Sequence, residues 1–200
     1  MAVIPTKGNL MALQRSLSLA GLGYELMDRK RNILIREMMN LIDRAADIQS
    51  KIDSTFHEAY LALQAAQITL GNCDVFAQLV PLDDSLHIRF RSVMGVELPT
   101  LSMDESEPSI HYGFSMTNSM LDRAARHFYH VKKLTLALAE VETSIYRLAF
   151  AIKKTQKRAN ALQNIIIPNL EHDVKFISDA LEEKEREEYF RLKVIKRKTV

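Results

Sequence analysis

The side chains best suited to chemistry in this chain are two neighbouring histidines and a single cysteine. His127 and His130 are three residues apart, so they share one face if their segment is helical and could bind a metal ion. No cysteine, further histidine or carboxylate stands beside them at ligand spacing, which favours solvated surface histidines instead. Cys73 lacks the setting of a nucleophile, and we expect a small buried residue.

Motifs that bind nucleotides or bridged metal ions are missing from the sequence. The six glycines are scattered, and Gly21-Leu22-Gly23 lacks the third glycine of a dinucleotide-binding turn. No Glu-x-x-His pair of the kind found in carboxylate-bridged metal bundles occurs. Asp83-Asp84 is typical of a turn rather than of an acid–base pair. We therefore expect no active site, no metal site and no cofactor.

Composition excludes several other classes of protein. The net charge of +2 over 200 residues is too small to indicate nucleic-acid binding. One cysteine permits no internal disulfide, which suits a reducing compartment. No run of 18 apolar residues predicts a membrane span, and the N-terminus does not resemble a secretory signal. A high share of charged residues, 26%, beside 47% hydrophobic residues fits helices that bury one stripe and expose the rest.

The first of two long repeats places core-type residues at alternating three- and four-residue steps without a change of phase. A mean spacing of about 3.5 residues keeps one seam against a partner helix in a left-handed supercoil. No proline interrupts it, so we predict one helix over about 10–79, roughly 100 Å long. The rungs are Leu10, Leu13, Leu17, Ala20, Tyr24, Met27, Arg31, Leu34, Met38, Leu41, Ala45, Ile48, Ile52, Thr55, Ala59, Ala62, Ala66 and Thr69.

The second repeat mirrors the first but contains one slip of phase. Two successive four-residue steps lead through Ile166 to Leu170, a stutter that locally unwinds a supercoil. Pro168 lies in the slip and predicts a local kink, after which helix-forming residues continue. The rungs are Val131, Leu134, Leu138, Val141, Ile145, Leu148, Ile152, Thr155, Ala159, Leu162, Ile166, Leu170, Val174, Ile177 and Leu181.

Two long helices joined by a non-helical insert predict a mainly α fold, a long antiparallel left-handed two-helix coiled coil with a small central β-hairpin region. We divide the chain into an N-terminal coiled-coil helix over 1–80, a hairpin and loop region over 81–116, and a C-terminal coiled-coil helix over 117–198. Both ends then lie at one tip, and a bundle containing two long helices is the alternative.

Arg31 is the charged residue on the first seam. When the two helices are paired so that the numbers of opposite residues sum to roughly 200, Arg31 faces the neighbourhood of Glu171 and Asp173, and Arg15 faces that of Glu187. A seam arginine that meets carboxylates can fix the register of two helices. The alternative is that Arg31 extends its guanidinium to water.

The central segment loses the helical period and gains an alternating pattern. Leu86, Ile88 and Phe90 alternate with polar residues, which predicts a β-hairpin over about 86–101. A turn at Val93-Met94-Gly95 and an edge position for Pro99 complete the prediction. Further expectations are an acidic loop over Met103–Pro108, a short extended piece over Ile110, Tyr112 and Phe114, and an N-cap at Thr117 or Ser119.

Three stretches at the predicted tip resemble the D subunit of the V-type (vacuolar and archaeal-type) rotary ATPase. They are Pro5-Thr6-Lys7 leading through the first rungs to Asp28–Leu34 (DRKRNIL), then Thr155–Pro168 (TQKRANALQNIIIP), and Glu185–Lys193 (EREEYFRLK). The alternation from Arg89 to Pro99 resembles the central hairpin of that family less closely.

The resemblance implies a non-catalytic rotor shaft in the central stalk. In that family the paired helices enter a head of alternating A and B subunits, and the other end, with the F subunit, sits on the subunit that links the stalk to the membrane ring. Rotation couples ATP synthesis or hydrolysis to ion movement, and the D subunit binds no nucleotide. A cytoplasmic location, peripheral to the membrane, follows from the same resemblance.

The resemblance also implies which residues make contacts. We expect the catalytic head to be contacted by Lys7, Arg15, Arg29, Lys30, Arg158, Asn160, Gln163, Pro168, Arg186, Arg191 and Lys193. We expect a regulatory hairpin to use Arg89, Phe90, Arg91, Val93, Gly95 and Leu98.

Two other classes of protein remain as alternatives. A static coiled-coil scaffold or tether explains both repeats equally well, although it leaves the three tip motifs without a role. An enzyme with a site inside a helical bundle needs convergent ligands or a nucleophile–base pair, and the sequence offers neither.

Overall fold

A computed structural model describes residues 4–81, 85–103, 112–113 and 117–198. Its main elements are two long helical stretches on either side of a β-hairpin, which confirms the predicted mainly α fold. They are α1 (Lys7–Leu70), α2 (Asp74–Gln78), β1 (Leu86–Val93), β2 (Val96–Met103), α3 (Ser119–Ala161), a π-helix (Leu162–Ile166) and α4 (Ile167–Lys198). None of the helices in these described ranges contains a segment able to cross a membrane.

The chain divides into two compact units. The terminal unit comprises Met1–Ile33 and Ile152–Val200, and the central unit comprises Leu34–Ala151. In each unit the two helical stretches run antiparallel. In the terminal unit Lys7 contacts Glu185 and a Cβ atom at Gly23 would meet Leu162. In the central unit the Tyr60 and Phe128 rings meet edge to face at 5.7 Å.

The predicted seams are largely the buried faces of the helices. Every rung of the first repeat except Thr69 is buried or half-buried, and Leu34, Ala59 and Ala66 are completely covered. The second repeat behaves in the same way except at Ile166, which is exposed. Burial of one stripe at helical spacing is therefore what holds each pair of helices together.

The contacts of Arg31 differ from the prediction. Its guanidinium contacts the Asp28 carboxylate one turn away on α1, and it donates a hydrogen bond of 2.8 Å to the Gln156 side-chain oxygen. The predicted approach to Glu171 and Asp173 is wrong. The prediction assumed an alignment of the two helices that the apolar spacing does not fix, because a regular ladder pairs equally well in several alignments, and in the structure Gln156 lies opposite Arg31.

Arg15 and its predicted partner also differ from the expected pairing. Glu187 contacts Arg191 on its own helix at 3.5 Å, and the carboxylate that reaches across to α1 is that of Glu185, bound to Lys7. The first turn of α1 is closed by Thr6, whose side-chain oxygen accepts a hydrogen bond from the Asn9 N–H.

The predicted irregularity near Pro168 takes the form of a π-helix. Pro168 has no N–H to offer to the carbonyl four residues earlier, so the regular hydrogen-bond pattern cannot continue through it. The Ile167 N–H bonds instead to the Leu162 carbonyl, a five-residue step. This wider turn inserts one residue, leaves Ile166 exposed and brings Ile167 to the half-buried side. The helix then resumes as α4.

Helix α1 ends earlier than predicted, at Leu70 rather than near residue 79. Gly71 adopts a positive φ of 77°, and its N–H bonds to the Gln67 carbonyl at 2.9 Å. This is a left-handed glycine cap, which turns the chain out of the helix. The short α2 follows, and Cys73 lies buried against Ala66 and Leu121, as expected of a small buried residue.

The N-cap of α3 is Asn118, so the predicted caps at Thr117 and Ser119 are wrong. The Asn118 side-chain oxygen accepts a hydrogen bond from the Leu121 N–H at 3.1 Å, and its amide nitrogen donates to Thr69 at 2.6 Å. A longer amide can cap the helix and reach α1 at once, which a hydroxyl cannot. The Thr117 hydroxyl bonds back to the Gly113 carbonyl.

The predicted hairpin is confirmed, with a two-residue turn. Val93 pairs with Val96, and Met94 and Gly95 between them have φ values of 50° and 76°, as a type I′ turn requires. Pro99 on β2 lies opposite Phe90 in a pair that is not hydrogen-bonded between the strands. The missing N–H of Pro99 therefore removes no hydrogen bond of the sheet. The predicted loop after Met103 and the extended piece at Ile110 and Phe114 lie outside the described residues.

Candidate subunit interface

An exposed apolar stripe runs along the face of α1 opposite its seam in the terminal unit. From Arg15 to Ile33 its positions follow the same three- and four-residue steps as the ladder but are offset by two residues, which turns them about 200° around the helix; Met11 lies one four-residue step before Arg15. Leu19 is 68% exposed and Leu26 is 63% exposed. We call this set the outer stripe; it comprises Met11, Arg15, Leu19, Leu22, Leu26, Arg29 and Ile33. Such a set of uncovered apolar side chains is typical of a binding surface.

The last part of α4 has no covered face. Every residue from Glu182 to Lys198 is exposed, although these residues are helical throughout. Tyr189 and Phe190 are 73% and 70% exposed, and Leu192 and Ile195 are also uncovered. A helix normally draws most of its stability from packing of an apolar face. We call this segment the exposed helix end; packing within the described residues buries none of its side chains.

The residues predicted to contact the head all lie in the terminal unit. Lys7, in the first turn of α1, forms an ion pair of 2.9 Å with Glu185, and the Glu185 carboxylate raises the pKa of Lys7. Arg186 and Arg191 on the exposed helix end each contact glutamates one turn earlier on α4. These ion pairs are exposed, so each contributes little to stability and leaves the cation available to a partner.

The remaining members of that set, Asn160 included, are exposed except for Lys30. Arg29 is exposed and contacts Glu25 at 3.6 Å, and Lys30 is half-buried. Asn160 accepts a hydrogen bond of 2.8 Å from Gln156, so it lies against the polar contacts of Arg31. The other predicted contact residues are exposed: Arg15 on α1, Arg158 on α3, Gln163 in the π-helix, Pro168 on α4 and Lys193 on the exposed helix end.

The hairpin residues predicted to be regulatory differ in exposure. Arg89 and Phe90 are exposed on β1, and Arg91 forms an ion pair of 3.2 Å with Glu37 of α1. Val93 and Gly95 lie at the turn. Leu98 on β2 is completely buried, so it lies on the packed face of the hairpin.

Two side chains of α3 bind the backbone of the hairpin within the central unit. The Glu140 carboxylate accepts a hydrogen bond of 2.8 Å from the Leu101 N–H, which points away from β1. Arg147 donates to the Glu97 carbonyl at 3.0 Å, and its guanidinium lies 5.4 Å from the centre of the Phe90 ring. No local pattern in the sequence signalled these contacts, because both residues lie far from the hairpin along the chain.

Two groups with potential chemistry elsewhere, His127 and Tyr112, contact carboxylates. His127 lies 3.7 Å from Glu58, and His130 is exposed. Tyr112 donates a hydrogen bond of 2.8 Å to Asp122. Burial of the hydroxyl is the main cause, and this hydrogen bond the second, that raises the pKa of Tyr112 to about 12. Within the described ranges no three His, Cys, Asp or Glu residues come together as a metal-binding group.

Comparison with known proteins identifies the family. The family model that describes the D subunit of ATP synthase matches residues 9–197. The D subunit of the V-type ATP synthase of Thermotoga neapolitana is 46% identical over 99% of this chain and 98% of its own length. The chain belongs to the family of ATP synthase D subunits. The D subunits of the A-type ATP synthases of Pyrococcus furiosus and Methanobrevibacter smithii are each 38% identical, over 98% and 96% of this chain and 94% and 85% of their own lengths.

As a member of the family of ATP synthase D subunits, the chain is part of a V/A-type ATP synthase complex, in which the D subunit belongs to the central stalk. The tip motifs already indicated this family. The leucines of the outer stripe were not predicted, although the sequence contains their signal, a second set of apolar residues at the ladder spacing and two positions out of phase.

Proposed function

We propose that this chain is the non-catalytic shaft of the complex and that its terminal unit binds the catalytic head of A and B subunits. The observation that carries the proposal is the uncovered apolar surface of the terminal unit. The outer stripe presents leucines and arginines, and the exposed helix end presents aromatic and basic side chains. Apolar residues with arginine are the composition that favours a protein interface.

A shaft acts on its head only through differences in contact energy. To shift one head interface from 1:99 to 99:1 between two states, its contacts must differ by about 5.5 kcal/mol. Burial of two or three leucine-sized side chains, at about 1.5–3 kcal/mol each, is of that size. An uncovered set of such side chains on the terminal unit is therefore sufficient to bias the interfaces in turn.

The central unit takes the remaining partners in this proposal. The F subunit and the subunit that links the stalk to the membrane ring bind there, which puts the protein in the cytoplasm, at the periphery of the membrane. The hairpin modulates the rate of ATP turnover. Deletion of 86–101 is then expected to change the ATPase rate of the complex while the complex still assembles; loss of assembly contradicts this role.

Two matched substitutions on α1 test the head-binding surface. Leu22 and Leu61 are similarly exposed, at 56% and 52%, but only Leu22 belongs to the outer stripe. We expect Leu22→Asp to weaken binding to a purified head of A and B subunits at least tenfold, because a buried apolar contact becomes a desolvated charge. Leu61→Asp is expected to bind as the wild type does. Equal affinities for the wild type and both variants would contradict the proposal.

Removal of 186–200 tests the exposed helix end. The described residues in this deletion contribute no buried side chain, so the melting temperature of the isolated protein is expected to change little. Torque measured from a bead on the reconstituted, ATP-driven complex is expected to fall. Unchanged torque would place the driving contacts elsewhere.

A further inference from the structure

A chain of polar contacts crosses the apolar seam of the terminal unit. Arg31 occupies a rung of the ladder and is only 26% exposed. It contacts Asp28 on its own helix and donates to Gln156 across the seam at 2.8 Å, and Gln156 donates in turn to Asn160 at 2.8 Å. Asn32 donates to the other oxygen of Asp28 at 3.1 Å. We call Asp28, Arg31, Gln156 and Asn160 the seam clamp.

The apolar rungs on either side of the clamp do not select one alignment of the helices. Because both repeats advance by about seven residues for two rungs, and the second repeat by eight across its slip from Leu162 to Leu170, a shift of one helix by two rungs again sets apolar rung against apolar rung. Buried area alone therefore changes little between the two alignments. A polar residue at a seam position is the known means of distinguishing them.

The clamp does distinguish the shifted alignments. A shift of seven residues one way brings Ala149 to the position of Gln156 and Lys153 to that of Asn160. Arg31 then loses its acceptor and gains a like charge. A shift the other way brings the π-helix to those positions, where the regular four-residue spacing that lets Gln156 donate to Asn160 is interrupted. Only the observed alignment provides both groups.

We propose that the seam clamp sets the axial alignment of α1 against α3 in the terminal unit, with Arg31 and Gln156 as the positioning residues. The clamp lies just before the π-helix, where the apolar period changes phase. An alignment error there would not be corrected by the rungs that follow. Partly buried polar pairs often contribute little net stability, so we expect alignment to depend on the clamp more than stability does.

Cysteine trapping in the full-length chain measures the alignment directly. The native Cys73 is replaced by alanine, and Gly23→Cys provides one thiol, since a Cβ at Gly23 would lie 3.9 Å from the Leu162 side chain. The second thiol is Leu162→Cys for the observed alignment, or Thr155→Cys or Leu170→Cys, two rungs away on either side, for the two shifted alignments. Disulfide formation requires close Cα atoms, so a shift of about 10 Å is resolved.

The expected result is a change of cross-linking ratio without a loss of stability. With Arg31 present, the observed-alignment pair is expected to cross-link at least about tenfold faster than either shifted pair, the factor typical of a charge-assisted hydrogen bond. Arg31→Leu is expected to reduce that ratio about tenfold while its melting temperature stays equal or rises. Arg36→Leu makes the same chemical change at an exposed position of α1 and is expected to preserve the ratio.

A melting temperature that falls while the ratio stays unchanged would reduce the clamp to an ordinary stabilising contact and overturn the proposal. An equal loss of the ratio in Arg36→Leu would overturn it as well. If circular dichroism shows that Arg31→Leu does not fold, Gln156→Met removes the acceptor with a side chain of similar length. That variant is then expected to lower the ratio, and an unchanged ratio refutes the proposal.

Discussion

The attachment of the hairpin to α3 leads to a prediction of local rather than global stability. A two-stranded hairpin is marginal in water by itself, so β1 and β2 depend on their anchors. The Glu140 carboxylate accepts the outward-pointing Leu101 N–H at 2.8 Å in a half-buried position. Glu140→Ala removes the acceptor, and a hydrogen bond to a charged group contributes about 1.5–3 kcal/mol.

That loss converts into a rate of hydrogen exchange. Each 1.4 kcal/mol is about tenfold in an opening equilibrium, so amides of the hairpin are expected to exchange roughly 10- to 100-fold faster in Glu140→Ala. Mass spectrometry of peptides covering 86–103 in the full-length chain measures this change. Peptides from the middle of α3 are expected to keep their wild-type exchange, because their own hydrogen bonds are intact.

Glu142→Ala is the matched control, since Glu142 is exposed and lies two residues further along the same helix. It is expected to leave hairpin exchange unchanged. The reasoning fails if Glu140→Ala leaves the hairpin as well protected as the wild type does, or if Glu142→Ala accelerates its exchange equally.

Three further predictions concern the central unit and α1. The folded pKa of Tyr112 is about 12 and its ordinary value is 10.0, so its neutral hydroxyl stabilises the fold fully below about pH 10, and this contribution is lost as pH rises toward 12. The stability difference between wild type and Tyr112→Phe, from urea unfolding, is expected to shrink over that range; a constant difference contradicts it. Gly71→Ala is expected to lower the free energy of unfolding by about 1–2 kcal/mol because of the positive φ. Gly21→Ala, in the helix interior, is expected to raise it by about 0.5–1 kcal/mol, and melting temperatures of the two variants that move in the same direction refute this contrast. Leu34→Ala, in the buried seam, is expected to lower the free energy of unfolding by about 2–5 kcal/mol, and Leu61→Ala, at an exposed position, by less than about 0.5 kcal/mol. Denaturant unfolding measures both, and equal losses would contradict the buried seam.

The sequence predicted where along the chain the candidate interface lies, but not which side chains form it. The tip motifs indicated the family and which helix ends matter, because those motifs are contiguous in the chain. Which side chains face outward depends on how each helix is rotated about its own axis against its neighbour. Leu98 illustrates the difference: its place in the hairpin was evident, but its complete burial came from packing that no local pattern encodes.

The sequence by itself determined the two seams, the hairpin with its turn, and the burial of Cys73, because periodicity and turn chemistry act over a few neighbouring residues. The tertiary structure decided which residue lies opposite Arg31, and it placed the cap of α3 at Asn118, whose amide also reaches Thr69 on α1. For Arg31 the physical reason is the repeat itself. A ladder that advances by sevens fixes which face of a helix is buried but not how far one helix is displaced along the other, and only particular side-chain contacts across the seam remove that ambiguity.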